Sequence, residues 1–364
     1  MRHIARNSIC ILLELSMAAL AGTEAARVRP IVGAIRWDAW HGEQGTPGLA
    51  VQRSLAPRQW HTRLPFFAKV LGDGQVSIDG SAQAVMDQEI AYAASAGLDY
   101  WAFVTYPPES SMSLGLKRYL ASTKRRLIRF CLITECSRWR DPKYVGRLAT
   151  LMAEPGYLLV LDRRPVLYLG FIQDAKLQAH WGGAGGFRRT IDGLRAAARK
   201  KGLANPYIVV MDPNPQRGKS WLEKLGCDAI SSYAVQGGAR EAPYAALAQY
   251  AERFWERCAA TGAHTVPTVM AGWDRRPRVA RPVPWEKWQK PGVGMDKYYE
   301  APTPKELAAH LQRAVRWLQS HPTQAPAALA IIYAWNENDE GGWLVPTLAE
   351  GNARLEAIRP ILRP

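Results

Sequence analysis

Eight short runs of apolar, mostly β-branched residues recur along the chain, and no other feature of the sequence restricts the fold as much. They lie at 31–36, 100–105, 128–134, 165–170, 207–211, 229–232, 266–271 and 328–334. Between them the apolar spacing predicts amphipathic helices, among them 83–96, 143–152, 186–201, 244–260 and 304–320, with Gly97, Gly202 and Gly262 placed to stop three of them. Strands that alternate with helices pair in parallel, because the connection between parallel neighbours needs a crossover long enough to hold a helix. Eight such units in a chain of 364 residues predict one (β/α)8 barrel over 27–364 with extended loops, in place of two domains. The glycine-rich stretch at 182–186 reads as an exposed turn, not a phosphate cradle.

Hydrophobic residues make up 48% and charged residues 22% of the chain, which excludes disorder and a multi-span membrane protein. Lys plus Arg exceed Asp plus Glu to give +15, a balance that suits an acidic partner. The positive charge is scattered, however, with short clusters at 124–126, 199–201 and 275–278, so nucleic acid is not the expected partner. Residues 1–26 read as a signal peptide: Arg2 and Arg6 precede a mostly apolar run at 9–20, and Ala19-Leu20-Ala21 offers a small-x-small cleavage site. The run is too short for a stable membrane span. Glu14 within it opposes insertion, so an exported protein and a cytoplasmic one both stay open. Cleavage would remove Cys10 and leave Cys131, Cys136, Cys227 and Cys258, which are read as free, packed thiols or as disulfides in an oxidising compartment. No Cys or His spacing suggests a metal, and no cofactor is expected.

In a (β/α)8 barrel the site lies at the C-terminal ends of the strands. The residues that follow the predicted strands there are Trp37, Asp38 and Trp40, then Tyr106, Glu135, Asp212, Tyr233, Trp273 and Asp274, and finally Trp335, Asn336, Glu337, Asn338, Asp339 and Glu340. Trp343 follows at the next turn. Indole and phenol faces stack on the C–H faces of sugars while carboxylates and amides bind hydroxyls, so the expected ligand is a carbohydrate. Glycosidic cleavage needs one carboxyl that carries a proton and one that is ionised. Glu337 and Glu340, three residues apart after the eighth strand, are the candidate catalytic pair, and mutual repulsion would split their pKa values in the useful direction. Trp37, Asp38, Trp40, Tyr106, Glu135, Tyr233, Trp273, Asp274, Trp335, Asn336 and Trp343 are the candidate substrate-binding residues. Asp274 with Arg278 reads as an ion pair that shapes its loop. His41, His61 and His264 stand singly and read as structural or solvent-exposed, and Ser231 and Ser232 lack a nucleophile-elbow context.

The stretch from Tyr333 to Gly341, YAWNENDEG, with Pro346 downstream, resembles the AWNExxEG…P signature of glycoside hydrolase family 99-like barrel proteins, which include endo-α-mannosidases and bacterial proteins from polysaccharide gene clusters. Gly272-Trp273-Asp274 with Pro277-Arg278 resembles the family's GWDxxPR loop, residues 86–103 its helix, GIDGF and strand segment, and 164–168 its RPVL strand. The resemblance spans residues 31–362. It implies a retaining, endo-acting glycosidase without metal or organic cofactor. In it Glu337 would take the proton of the sugar's own 2-hydroxyl, Glu340 would act as acid and base at the leaving oxygen, and Asn336 and Tyr106 would orient hydroxyls. Asn338-Asp339 replaces the aromatic-led pair usual between the two glutamates, Tyr100-Trp101 stands for Gly-Phe, and Thr134 stands for Asn, which leaves mannoside specificity open.

The sequence thus predicts an exported barrel that hydrolyses a poly- or oligosaccharide through Glu337 and Glu340. The arginines at 275–281 suggest an acidic glycan. The alternative is a non-catalytic glycan-binding or polysaccharide-assembly protein on the same barrel, favoured if either glutamate is locked in a salt bridge. A glycosyltransferase would need a Gly-rich phosphate loop or a DxD-type motif at a strand end, and the sequence has neither.

Overall fold

A computed structural model describes residues 29–363. The leader read at 1–26 and Cys10 lie outside them. All eight predicted strands form: β1 Ile31–Arg36, β2 Tyr100–Val104, β3 Arg129–Glu135, β4 Arg164–Gly170, β5 Tyr207–Met211, β6 Ala229–Ser231, β7 in two pieces, His264–Thr265 and Thr268–Met270, and β8 Leu329–Tyr333. The parallel ladder runs β6-β5-β4-β3-β2-β1-β8-β7, and the first piece of β7 pairs back onto β6 to close the barrel. Thus β7 differs from the continuous strand expected at 266–271. Pro267 has no N–H to give to a ladder, so the strand divides there: the first piece serves β6 and the second serves β8.

The strands are hydrophobic nearly throughout because both faces are covered, one by the barrel interior and one by the ring of helices. Inside, Tyr100 reaches across to Tyr168 (hydroxyls 2.8 Å apart) and to the carbonyl of Ala330 at 2.9 Å. Gly33 makes this possible, since a Cβ there would stand 2.5 Å from the Tyr100 ring.

The helices α1 Thr46–Leu55, α2 Gln83–Ala96, α3 Leu114–Ala121, α4 Tyr144–Met152, α5 Asp174–Trp181, α6 Ala184–Lys200, α7 Pro215–Leu225, α8 Tyr244–Ala259, α9 Arg276–Ala280, α10 Pro304–Ser320 and α11 Ala353–Leu362 complete the fold. Helix α6 starts inside the glycine stretch that the sequence suggested was all turn: Gly182 ends α5 in the left-handed conformation and α6 begins two residues later. At α10, Thr303 and Glu306 cap each other's backbone, an arrangement that stabilises a helix start by about 1 kcal/mol.

The four cysteines are free and buried, which settles their reading in favour of packed thiols. Burial pushes Cys136, Cys227 and Cys258 up to about 12. Among the described helices none is long and apolar enough to cross a membrane.

Two excursions depart from the simple barrel, both at its C-terminal face. After β1, residues 37–82 carry α1 and a hairpin of Lys69–Gly72 and Gln75–Ser77 around a small second core that includes Trp40, Leu55, Trp60 and Leu64. After β7, residues 271–303 form the long loop that holds α9. These two segments flank the end of β8.

Candidate active site

After β8 the chain turns back on itself. Asn336–Glu337 pairs antiparallel with Gly342–Trp343, and Asn338–Glu340 forms a single 3-10 turn between them. Gly341 ends that turn at φ 88°, and a Cβ there would lie 2.4 Å from the backbone nitrogen of Asp274, so the β7 loop can hydrogen-bond the turn directly (Asp274 N to Glu340 O, 2.7 Å). This contact sets the loop that carries α9 against the carboxylates.

The centre of the site is a cation that the sequence reading assigned elsewhere. Arg278 is buried, and its guanidinium meets Asp339 at 2.6 and 3.0 Å, Glu337 at 3.3 Å, and Glu340. Its carbon lies 5.1 Å from the Trp37 ring and 5.7 Å from that of Trp285. Arg275 approaches Glu340 at 3.1 Å and also pairs with Glu286. The phenol of Tyr233 donates to Glu337 at 2.6 Å, and that of Tyr333 donates to Glu340.

These contacts separate the two glutamates electrostatically. Burial, followed by repulsion from Glu340, pushes Glu337 up to about 8, and its 3.3 Å contact with Arg278 offsets this only in part. Burial also raises Glu340, but Arg278 and Arg275 together outweigh it and hold the carboxyl below its ordinary range. Near neutral pH, Glu337 therefore carries a proton and Glu340 is ionised. Both phenols are raised well above their ordinary value, chiefly by burial, and remain donors.

The rest of the predicted set divides by location. Trp37, Tyr106, Tyr233 and Trp273 are partly exposed, and the structure brings them to the rim of the barrel mouth. There the Trp37 indole donates to the Tyr106 hydroxyl at 2.7 Å, and Trp273 packs 5.6 Å from Tyr333. Glu135 lies farther along the rim, held by Ser137 and, at 3.5 Å, by Arg138.

Five candidates are buried and engaged within the protein. Trp335 is fully buried; its indole donates to Glu89 at 2.7 Å and packs 5.0 Å from Trp101 in the barrel core. Trp40 is buried against Phe67 and donates to the carbonyl of Asn336 at 3.1 Å. Trp343 is sandwiched between Arg354 at 3.7 Å and Arg63 at 5.8 Å. Asp38 pairs with Arg36 at 2.7 Å, where burial pushes its carboxyl up to about 6 against the pull of that guanidinium. Asn336 accepts from Trp37 N at 2.9 Å and meets Asp38 at 3.4 Å, so its amide fastens the β1 and β8 loops together instead of presenting itself to a hydroxyl.

Asp274 has different partners from the one expected. It binds Arg63 and, at 2.7 Å, Arg276, while Arg278 goes to the glutamates. Asp212 is tied to Arg217 at the start of α7. Tyr333, Trp285 and the half-exposed Phe171, 5.7 Å from Tyr233, were not foreseen as site residues, and Arg275 and Arg278, expected as charges for an acidic glycan, pair instead with the carboxylates of the turn. The GWDxxPR segment held the signal for Arg278, but which carboxylate it meets depends on how the loop folds back over β8. Among the described residues no three His, Cys, Asp or Glu side chains are disposed to hold a metal ion.

No family model matches this sequence, and no curated protein matches it. In three dimensions the chain is similar to the GH99 endo-α-mannosidase from Bacteroides thetaiotaomicron, with a TM-score of 0.55 and 12% identity over 91% of this chain and 98% of that one. Against the same enzyme in complex with BIS-TRIS-propane the TM-score is 0.53 at 12% identity, over 91% and 96% of the two chains. The fold is therefore GH99-like, a (β/α)8 barrel.

Proposed function

We propose that this protein is a glycoside hydrolase in which Glu337 and Glu340 divide the acid and base work. The observation that carries this reading is the pair itself: two carboxyls in one turn at a barrel mouth, one holding a proton and one ionised at neutral pH. The GH99-like fold and the aromatic rim of Trp37, Tyr106, Tyr233 and Trp273 support it.

The electrostatics support a division opposite to the one the resemblance implied. Glu337 donates its proton to the departing glycosidic oxygen. Glu340, kept anionic by Arg275 and Arg278, receives a proton from the attacking hydroxyl or stabilises the positive charge that develops on the sugar. Retained configuration and cleavage within a chain are the outcomes we expect. Three of the arginines that suggested an acidic glycan are paired internally, Arg275 with Glu286 and Glu340, Arg276 with Asp274, and Arg278 with its three carboxylates. That pairing favours a neutral glycan. Export through the leader at 1–26 belongs to the same proposal, and N-terminal sequencing of the mature protein tests it.

A second reading rests on a specific observation. Both glutamates are salt-bridged to Arg278, and Glu337 is 3% exposed, which favours a glycan-binding protein without catalysis. One experiment separates the two: reducing-end release and product anomer from a polysaccharide panel, with α-mannan first because the structural neighbour is an endo-α-mannosidase. The wild-type protein is compared with Glu337→Gln and Glu340→Gln. Loss of about 100-fold or more in both variants fits the pair. Undiminished activity in either refutes the assignment, and binding without hydrolysis by the wild type selects the second reading.

A further inference from the structure

Two of the positive clusters noted in the sequence, at 124–126 and 199–201, take no part in the site and lie far apart in the chain, yet the fold brings them to one end of the barrel. Each precedes a strand of the parallel ladder, β3 and β5, so both sit at the end opposite the mouth. Between them, ahead of β4, Leu159–Val160 pairs back onto Arg164 and Pro165, and the tip of this hairpin is Leu161, Asp162 and Arg163. All three tip residues have positive φ (32°, 52° and 65°), a conformation that residues other than glycine adopt only at a cost. Contacts join the three segments into one surface. Arg125 pairs with Glu154 at 3.5 Å, Phe130 N donates to Gly156 O at 3.1 Å, and Arg164 donates to the carbonyl of Asn205 at 2.8 Å.

The charge of this surface is one-sided. Lys124, Arg126, Arg163, Arg199, Lys200 and Lys201 are all exposed, and none has an ion-pair partner among the described residues. The neighbouring carboxylates are already engaged: Glu154 by Arg125, Asp99 by Arg29 and Arg129, and Asp228 by Arg164. Asp162 is left alone among the cations. Two leucines also stand in water here, Leu127, 56% exposed and adjacent to Arg126, and Leu161, 38% exposed and two residues before Arg163. A soluble polyanion would use the cations and gain nothing from exposed leucines. The headgroup region of an anionic bilayer rewards both, since it attracts basic side chains and accepts apolar ones. The entry of the chain points the same way. Strand β1 begins at this end and Arg29 is bound to Asp99 there, so the preceding sequence, with Arg2, Arg6 and the apolar run at 9–20, is joined to the barrel at this face.

We propose that this end of the barrel is a docking surface for anionic phospholipid. Docked in this way, the barrel turns its mouth, with Glu337 and Glu340, away from the lipid and toward solution. The inference does not depend on the glycan reading, because lipid binding is measured without turnover. The full chain is sedimented with vesicles of phosphatidylcholine and phosphatidylglycerol, and with vesicles of phosphatidylcholine alone, at low and high salt. Two variants are run beside it, one that combines Arg126→Glu, Arg163→Glu and Lys200→Glu, and one that combines Leu127→Ser and Leu161→Ser. All five side chains are exposed, and thermal melting checks that each variant is folded.

Each basic side chain close to an anionic leaflet strengthens binding by about fivefold, so loss of three should weaken it by about 100-fold or more. Binding to the mixed vesicles that fades with salt, falls by about that factor on charge reversal, and falls by about fivefold on substitution of the leucines supports the surface. Absence of binding by the wild-type chain overturns it, as does equal binding to phosphatidylcholine alone. Binding that the charge reversals leave unchanged also overturns it, and places the lipid contact elsewhere in the chain. Reversals that abolish binding while the leucine substitutions leave it intact overturn the lipid assignment and make the patch a site for a soluble polyanion.

Discussion

Two buried guanidinium clusters lie within the mouth of this barrel, and they behave differently. In the first, Arg36 at the end of β1 meets Asp38 and Glu89, each at 2.7 Å, with Trp335 donating to Glu89 and the Arg36 carbon 4.6 Å from the Trp101 ring. In the second, Arg278 meets Glu337, Asp339 and Glu340, with Arg275 assisting. The first gives both carboxylates a close cation and stands on core aromatics. Both clusters hold more carboxylates than cations, but in the second the carboxyl with the longest contact, Glu337 at 3.3 Å, keeps a proton. Burial is common to both, so burial alone does not make a site. How closely the cation approaches each carboxyl differs between them: Asp38, 2.7 Å from Arg36, is raised to about 6, and Glu337, 3.3 Å from Arg278, to about 8.

Removal of the ionised partner should produce the largest change. Glu340→Gln is expected to lower kcat/KM by about 10³-fold, within the usual range for a general acid or base, whereas Asp38→Asn in the first cluster should cost far less activity. A kcat/KM loss in Asp38→Asn equal to that in Glu340→Gln would erase the distinction between the clusters.

Arg278→Met strands three buried carboxylates without their shared cation. It should destabilise the fold by about 3–5 kcal/mol, read as a lowered denaturation midpoint at pH 8, with partial recovery at pH 5 as the carboxyls take up protons. An unchanged midpoint would mean that the cluster contributes nothing to the fold.

The pH dependence of stability sharpens the comparison further. Glu337 has its folded pKa raised from 4.5 to about 8, so across that interval the folded protein holds a proton that the unfolded chain releases. Stability should therefore fall as pH rises from about 4.5 to about 8, and Glu337→Gln should flatten that slope in thermal melts. Asp38, raised from 3.8 to about 6, predicts a smaller fall in the same direction over a lower interval, removed by Asp38→Asn. The activity profile gives the last test: kcat/KM should decline as pH rises through about 8, where Glu337 loses the proton it donates. An alkaline limb that persists in a variant lacking the Glu337 carboxyl would assign it to another group.

Much of the fold was legible because a parallel strand covered on both faces announces itself as a continuous apolar run, and all eight were found. The break in β7 was also written in the chain, at Pro267, but was not read. At the site, the strand-end rule located the turn that carries Glu337 and Glu340. It did not foretell that Trp335, Trp40 and Trp343 are buried, because position after a strand does not say whether an indole turns inward, as Trp335 does toward Glu89, or outward to the rim. The pairing of Arg278 was beyond the sequence for a related reason. Asp274 lies four residues before it, yet the carboxylates it meets come from a turn some sixty residues on, brought close by closure of the barrel between β7 and β8.

Beneath the site runs an alternating stack of cations and rings: Arg354 on Trp343 at 3.7 Å, Trp343 with Arg63, Arg63 on Trp60 at 4.8 Å, Trp60 with Arg276, and Arg276 on Tyr298 at 3.4 Å. It takes members from the segment after β1, the loop after β7, the turn after β8 and α11. A consequence follows for transplantation. A loop grafted alone from this barrel onto another would bring two adjacent layers of the stack and lack the other four, so the contacts that join one segment to the next, Trp343 with Arg63 and Trp60 with Arg276, would be lost. The segments at 58–63, 272–298 and 335–354 therefore form one packed unit. Recombination that crosses within that set should yield folded barrels whose mouths are misassembled, while exchange that carries all three together should keep the stack whole.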